Sequence, residues 1–141
     1  MRMTAIAVLG AAALLAGSDA VATTCIAGKS FKVRQVCGQV KDFGGAAIPD
    51  ASVELTKKGE SRAIFTEQSD SDGKFHFRHV PDGDYELRVK YKIFWDVAQP
   101  FSVRRSRDEN TCPHPIRVVM KVAGQCGYVE NAWKKNASTE N

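Results

Sequence analysis

Apolar and polar residues alternate along most of the chain from residue 33 onward, and this period of two restricts the possible folds more than any other feature. The clearest stretch covers residues 85–91, where aromatic or aliphatic side chains at every second position are separated by charged ones. Such alternation is typical of a β-strand that buries one face. Downstream of residue 23, no segment shows a convincing helical period. The sequence therefore predicts an all-β protein.

Seven short strands can be placed on this pattern, at residues 36–40, 51–55, 61–69, 75–78, 85–91, 101–103 and 116–120. Two sharp turns separate them: Asp70-Ser71-Asp72-Gly73 is typical of a hairpin turn, and Pro81-Asp82-Gly83 of a second turn. Strands that recur about every ten residues favour an antiparallel β-sandwich over other all-β architectures. A chain of 141 residues has room for one such domain.

The first 22 residues have the pattern of an export signal. Arg2 precedes an uninterrupted run of small and apolar residues from Ala5 to Ala16, and Ala20-Val21-Ala22 gives the small-x-small pattern of a cleavage site. The run is shorter than the roughly 20 residues that a membrane-spanning helix needs. We therefore predict a signal peptide at residues 1–22, cleaved near Ala22, and a periplasmic or extracellular location. A sandwich domain at 23–130 and a polar tail at 131–141 would follow.

Four cysteines lie downstream of this signal: Cys25, Cys37, Cys112 and Cys126. An even number of cysteines in a small exported domain predicts two disulfides, and the three possible pairings all remain open. No Cys-x-x-Cys occurs, so neither a thioredoxin-like motif nor a zinc ribbon is indicated. Because Val36 and Val40 share the buried face of their strand, Cys37 should point outward and tether a terminal segment laid over the sheet.

Two blocks of residues resemble the carboxypeptidase regulatory-like domain family. The first is Gly38-x-Val40-x-Asp42-x-x-Gly45-x-x-Ile48-Pro49-x-Ala51-x-Val53-x-Leu55, and the second is Gly73-x-Phe75-x-Phe77-x-x-Val80-Pro81-x-Gly83-x-Tyr85-x-Leu87-x-Val89. The chain departs from the family pattern at Asp50, where Gly is usual, and at Ala47, where Pro is common. The resemblance implies a transthyretin-like (Ig-like), seven-stranded antiparallel Greek-key β-sandwich. It also implies a non-catalytic accessory or binding module.

The residues themselves give little support to an enzyme. No Gly-x-Ser-x-Gly occurs, and cysteines in disulfides supply no thiolate. The transthyretin-related hydroxyisourate hydrolases, which share this fold class, end in Tyr-Arg-Gly-Ser, whereas this chain ends in Ala-Ser-Thr-Glu-Asn. His76 and His79 lie three apart on a strand, so they face opposite sides and cannot hold one metal ion. We expect no catalytic site, no cofactor and no metal, with a transthyretin-related hydrolase as a distant third alternative.

Aromatic and basic side chains are the remaining candidates for ligand contact. Phe94 and Trp95 are adjacent, so one of them should be exposed if the strand continues, and an exposed Trp with Lys92 nearby could stack on a sugar ring. A second basic group comprises Arg104, Arg105, Arg107, Lys134 and Lys135, which could meet an anionic lipid or polysaccharide.

The partners that these groups suggest are a carbohydrate, an envelope polymer or an envelope protein. The net charge of +4 is too small for a nucleic-acid footprint, and membrane contact should be peripheral at most. The alternative function is a purely structural scaffold of an envelope assembly, in which a sheet edge or the tail does the pairing.

Overall fold

Two β-sheets share one hydrophobic core in the computed structural model, which describes residues 24–122 and 124–131. Ten strands make up the described part: β1 (Thr24–Ile26), β2 (Phe31–Val33), β3 (Val36–Asp42), β4 (Ser52–Lys57), β5 (Ala63–Gln68), β6 (Lys74–Phe77), β7 (Gly83–Lys90), β8 (Asp96–Val103), β9 (Ile116–Met120) and β10 (Tyr128–Asn131). The predicted signal peptide and almost all of the predicted tail lie outside the described residues. Within those residues, no helix is long and apolar enough to cross a membrane.

The larger sheet has the order β1-β8-β7-β4-β5, with β2 also paired to β8, and the smaller sheet has the order β10-β9-β3-β6. Three pairings are parallel, namely β1 with β8, β2 with β8 and β3 with β9. The all-β sandwich is therefore confirmed, but its sheets are mixed and not wholly antiparallel. Alternation along a strand indicates which face is buried and carries no information on the direction of its neighbour, which explains the difference.

The seven predicted strands are all present as β3 to β9, and three further strands raise the count to ten. The additional strands β1, β2 and β10 have three or four residues each and lie at sheet edges. Strand β8 begins at Asp96, five residues before the predicted start at Phe101. Pro100 lies within this strand, between the stretches of β8 that pair with β1 and with β2, so the ladder loses little at that point.

The core is built from the predicted apolar stripes. Its fully buried members include Val36, Val40, Val53, Leu55, Leu87, Val89, Phe101, Ile116, Val118 and Met120. Gly38 lies among them because a Cβ there would overlap the backbone of Ile116 and approach within 2.8 Å of the Phe75 ring. Tyr85 is also buried, and its hydroxyl donates a hydrogen bond of 2.8 Å to the carbonyl of Pro81. Burial raises the pKa of the Tyr85 phenol above its ordinary value.

The turns follow the residue types that the sequence provides. Asp70 Oδ1 accepts hydrogen bonds from the backbone N–H groups of Asp72 and Lys74 at 2.9 and 2.8 Å, and Gly73 has a φ of +72°. These contacts are those of the predicted hairpin turn. Asp50 has a φ of 57°, in the left-handed region that favours glycine. The departure from the family pattern at this position therefore falls where the backbone conformation suits the usual Gly.

Two disulfides are present, Cys25–Cys126 and Cys37–Cys112. The first joins β1 to the segment before β10, close to both ends of the described chain. The second joins β3 to the loop between β8 and β9, so the prediction that Cys37 tethers a terminal segment is wrong. This loop, residues 104–115, carries the partner cysteine to Cys37 and leaves it only 2% exposed. Two bridges suit a chain that folds in an oxidising compartment.

Candidate functional site

A cavity of about 560 Å³ opens at the end of the sandwich where β3 begins and β8 ends. Its walls come from three parts of the chain: residues 32–37, the loop between β8 and β9, and Asn131 at the end of β10. The first part turns from the edge of one sheet into the centre of the other. The cavity therefore lies where the two sheets and their longest loop meet.

The cavity is strongly basic. Its lining includes five cationic side chains, Lys32, Arg34, Arg104, Arg105 and Arg107. Among the described residues, Glu109 is the only acidic one that lines it. The lining thus has a net charge of +4, which equals that of the whole chain, so the charged residues elsewhere in the sequence balance each other. A concave surface lined by one sign of charge focuses the electric field and attracts ligands of the opposite sign.

Two of the five cations are already paired within the protein. Arg104 Nη2 lies 2.7 Å from Asp84 Oδ1, and Arg104 Nη1 donates to the carbonyl of Gly83 at 3.0 Å. Hydrogen bonds from Ser102 and Arg104 lower the pKa of Asp84 below its ordinary value, which keeps this partner ionised. Arg107 Nη1 lies 3.4 Å from Glu109 Oε1. Both arginines therefore have an intramolecular counter-ion.

The other three cations, Lys32, Arg34 and Arg105, have no carboxylate partner within the described residues. They come from two different segments, β2 with the residue after it and the loop after β8, and converge on one cavity. Positive charges held together without a counter-ion repel each other unless an anion lies between them. These three side chains are the ones that remain available to an anionic ligand.

The loop that carries Arg105 is fixed at its start by Asp82. The Asp82 carboxylate accepts hydrogen bonds from the backbone N–H groups of Arg105 at 2.9 Å and Ser106 at 2.8 Å, and Ser106 Oγ donates to the carbonyl of Val80 at 2.7 Å. The bonds from Ser106 and Arg105 lower the pKa of Asp82. Arg105 itself has a φ of 54°. The turn at Pro81-Asp82-Gly83 thus sets the path of the cavity wall.

The same loop is held again further along. Asp108 lies 3.5 Å from Arg78 and 3.2 Å from His79, and the side-chain amide of Gln35 donates to the carbonyl of Glu109 at 2.6 Å. Cys112 is bonded to Cys37 on β3. Because contacts recur along its length, the cavity is formed by a loop tied to both sheets.

The aromatic and lysine side chains that the sequence predicted to contact a ligand, Phe94, Trp95 and Lys92, do not line the basic cavity. The strand before them ends at Lys90, and a turn follows in which the Phe94 N–H bonds the Tyr91 carbonyl at 2.9 Å. Phe94 packs against the core with its ring centroid 6.0 Å from that of Tyr91, and Trp95 is half-buried. Neither ring is fully exposed, because the chain turns where continued alternation would have exposed one.

Lys92 lies beside a second, smaller groove of about 250 Å³, lined by Asp50, Ser52, Lys90, Tyr91 and Lys92. Phe94 and Trp95 do not line this groove. The structure therefore brings Lys92 together with Tyr91, whose ring centroid is 5.5 Å from Lys92 Nζ, and leaves Trp95 apart. The groove lies where β7 ends, at the opposite end of that strand from the basic cavity.

His76 and His79 are separated, although only His76 lies on a strand: β6 ends at Phe77, and His79 follows with a φ of 54°. His76 Nε2 lies 2.8 Å from Gln35 Nε2, whereas His79 contacts Asp108. Among the described residues, no group of three or more His, Cys, Asp and Glu side chains is placed to hold a metal ion.

Sequence reasoning found only part of the basic cavity. It singled out Arg104, Arg105 and Arg107, while Lys134 and Lys135 lie outside the described residues. It missed Lys32 and Arg34, which flank Val33 in an alternating stretch of the sequence. That alternation was a usable signal, since it places both cations on the same face of the strand.

The fold and its two bridges define a small disulfide-bonded β-sandwich domain of the transthyretin-like type. Residues 35–111, more than half of the chain, match the model of the carboxypeptidase regulatory-like domain, and the chain belongs to this family. The fold is similar to that in a solved structure of Klebsiella pneumoniae 5-hydroxyisourate hydrolase, with a TM-score of 0.50 and 14% identity over 68% of this chain and 98% of that one. A likeness at this identity concerns the fold alone. No curated protein matches the sequence.

Proposed function

We propose that this protein is an exported, non-catalytic binding module, and that its basic cavity holds an anionic group of a cell-envelope component. The observation that carries the proposal is the excess of five cationic lining residues over one acidic residue in a single cavity. The two disulfides support export, because such bonds persist in oxidising compartments.

The three unpaired cations distinguish this reading from that of a passive scaffold. A fold that needed only to be stable would gain from carboxylates beside Lys32, Arg34 and Arg105, as it has beside Arg104. Mutual repulsion at this site lowers the stability of the free protein, and an anion that enters the cavity removes it. Cys37, on the cavity wall, is oxidised and offers no thiolate, which supports the non-catalytic part of the proposal.

Binding of envelope fragments to the oxidised, exported protein tests the proposal. Calorimetric titration would compare an anionic glycan or phosphate-bearing fragment with its neutral counterpart, at low and at moderate salt. We expect the anionic fragment alone to bind, more weakly at moderate salt because exposed charges are screened.

The decisive variant combines Lys32→Gln, Arg34→Gln and Arg105→Asn, since asparagine accepts the left-handed backbone at that position. The matched control removes the same charge elsewhere, with Lys41→Gln, Arg62→Gln and Lys74→Gln. Loss of binding in the first variant and retention in the control support the proposal. Equal binding of neutral and anionic fragments, or unchanged binding in the cavity variant, would show that it is wrong.

A second candidate function, pairing with another envelope protein, is favoured by an exposed apolar group around Lys121. Phe43 is 69% exposed and Val122 is 54% exposed, and Lys121 Nζ lies 4.7 Å from the Phe43 ring centroid and 5.7 Å from that of Tyr128. Sedimentation of the wild type and of Phe43→Ser, with and without envelope extract, tests this candidate. A single monomeric species under every condition would count against it.

A further inference from the structure

We infer that the basic cavity selects an amphipathic anion, a carboxylate or phosphate carried on a compact apolar body such as an aromatic ring or short acyl group. The inference rests on the proposed function and goes one step further, to the chemical class of the ligand. It separates such a ligand from a bare inorganic anion and from a polyhydroxylated sugar acid.

The first observation is that apolar groups lie between the charges. Val33, Pro113 and Cys37 all line the cavity, and Cys37 brings with it the disulfide to Cys112. Val33 also packs against the hydrophobic core, which fixes its position. The long aliphatic stems of the lining lysine and arginines add further carbon surface beneath their charged ends. A ligand that fills the cavity therefore meets apolar wall as well as positive charge.

The second observation is that the neutral polar groups of the wall are already engaged. Of the described residues, three with such side chains line the cavity, Gln35, His114 and Asn131. Gln35 Nε2 donates to the Glu109 carbonyl and lies 2.8 Å from His76 Nε2, and His114 and Asn131 also have interaction partners within the protein. A sugar acid would bring several hydroxyl groups against a wall whose neutral polar groups are in use and which is otherwise partly apolar. Burying a hydroxyl group without a hydrogen-bond partner is unfavourable.

The third observation is size. Small-molecule sites have volumes of about 300–1,000 Å³ and are lined mainly by apolar groups, with a few polar groups that fix orientation. The cavity of about 560 Å³ lies in this range. It is far larger than a single phosphate requires, so a bare anion would leave water against Val33 and Pro113.

The fourth observation is the kind of cation. Four of the five lining cations are arginines, and Arg34 and Arg105 are two of the three without a carboxylate partner. A guanidinium group binds carboxylate or phosphate through paired hydrogen bonds, and its flat face also stacks on an aromatic ring. Lysine offers only the first of these contacts, as a point charge. The arginine-rich lining therefore suits a ligand with both an anionic head and a planar body.

The test compares three ligands that share one head group: inorganic phosphate, phenyl phosphate and glucose 6-phosphate, titrated calorimetrically into the full oxidised protein. We expect phenyl phosphate to bind at least about tenfold more tightly than the other two, the gain from burying roughly half of a phenyl ring. The variant Pro113→Ser should reduce that preference to about threefold. The cavity charge variant described above should weaken binding of all three.

The outcomes separate this inference from the proposed function. If the three ligands bind equally and the charge variant weakens all of them, the anion site stands and the amphipathic preference is refuted. If glucose 6-phosphate binds most tightly, the amphipathic preference is refuted in favour of an anionic sugar. If none of the three binds to protein whose thermal unfolding is cooperative, both the anion site and the preference are refuted.

Discussion

Removing the Cys37–Cys112 bridge should lower the free energy of unfolding by about 3.5 kcal/mol. The two cysteines are 75 residues apart in the sequence, but the Cys25–Cys126 bridge encloses them and stays intact. The loop that the inner bridge closes therefore runs through the outer one and comprises the 12 positions from Cys25 to Cys37 and the 14 from Cys112 to Cys126, about 26 residues. In the chain-entropy relation, a closed loop of that length removes about 12 cal/mol/K from the unfolded chain, or about 3.5 kcal/mol at 25 °C. A small domain is stable by only about 5–15 kcal/mol, so this single bridge decides whether a marginal sandwich stays folded.

Urea unfolding of the double variant Cys37→Ala/Cys112→Ala, followed by far-ultraviolet circular dichroism, measures the effect. With a slope of about 1.5 kcal/mol/M, the midpoint should fall by about 2 M. The slope should rise as well, because a chain without this crosslink expands further on unfolding and exposes more surface. The alanine at position 37 adds a small packing loss, since Cys37 is buried.

The matched control is Cys25→Ala/Cys126→Ala. Its cysteines are 101 residues apart, but with the Cys37–Cys112 bridge intact the loop that they close is also about 26 residues long, so the two double variants should lose almost equal stability. A loss below about 1 kcal/mol for the Cys37 variant, with an unchanged slope, would refute the reasoning from chain entropy. A large loss for one bridge only would show that local contacts, and not loop length, set the stabilisation.

Three further predictions concern single residues. Gly38→Ala should destabilise the fold by about 3 kcal/mol in thermal or urea unfolding, because the new Cβ meets the Ile116 backbone in a packed core; an effect below about 0.5 kcal/mol would contradict this packing. Asp50→Gly should remain within about 1 kcal/mol of the wild type, whereas Asp50→Val should lose about 2 kcal/mol at the left-handed backbone; equal stabilities of the two variants in urea would refute this. The pKa of Asp82 is lowered in the folded protein, so its ionised form stabilises the fold above the ordinary pKa of 3.8, and this contribution is lost as the pH falls through the lower folded pKa. Asp82→Asn should therefore lose less stability in acid than the wild type, measured by urea unfolding as a function of pH. An unchanged acid profile would show that Asp82 makes no contribution.

The architecture could be predicted because burial acts on every second residue of a strand. In β7, the buried Tyr85, Leu87 and Val89 alternate with half-buried charged residues, and both the strand and its buried face were predicted correctly. The hairpin turn at Asp70 to Gly73 could be predicted equally well, since its side-chain hydrogen bonds are local in sequence. Where the structure depends on residues that are close in the sequence, the sequence was sufficient to predict it.

Features that depend on residues far apart in the sequence could not be predicted. Strands β1 and β2 are three residues long and exist only because β8 offers them an edge. The pairing of Cys37 depends on the path of a loop 75 residues away. The basic cavity joins Lys32 and Arg34 to Arg105, about 70 positions later in the sequence, and only the meeting of the two sheets brings them together. Composition and spacing contain no information on such encounters.

The Cys25–Cys126 bridge has a mechanical consequence. Its two Cα atoms are 5.4 Å apart, although the residues are 101 positions apart in the sequence. A pulling force applied through the chain on either side of this pair would first load the hydrogen bonds between β10, which follows Cys126, and β9. Once β10 had separated, the force would pass across the sulfur–sulfur bond and bypass the strands between Cys25 and Cys126. Those strands would carry almost none of the load until a reductant opened the bridge.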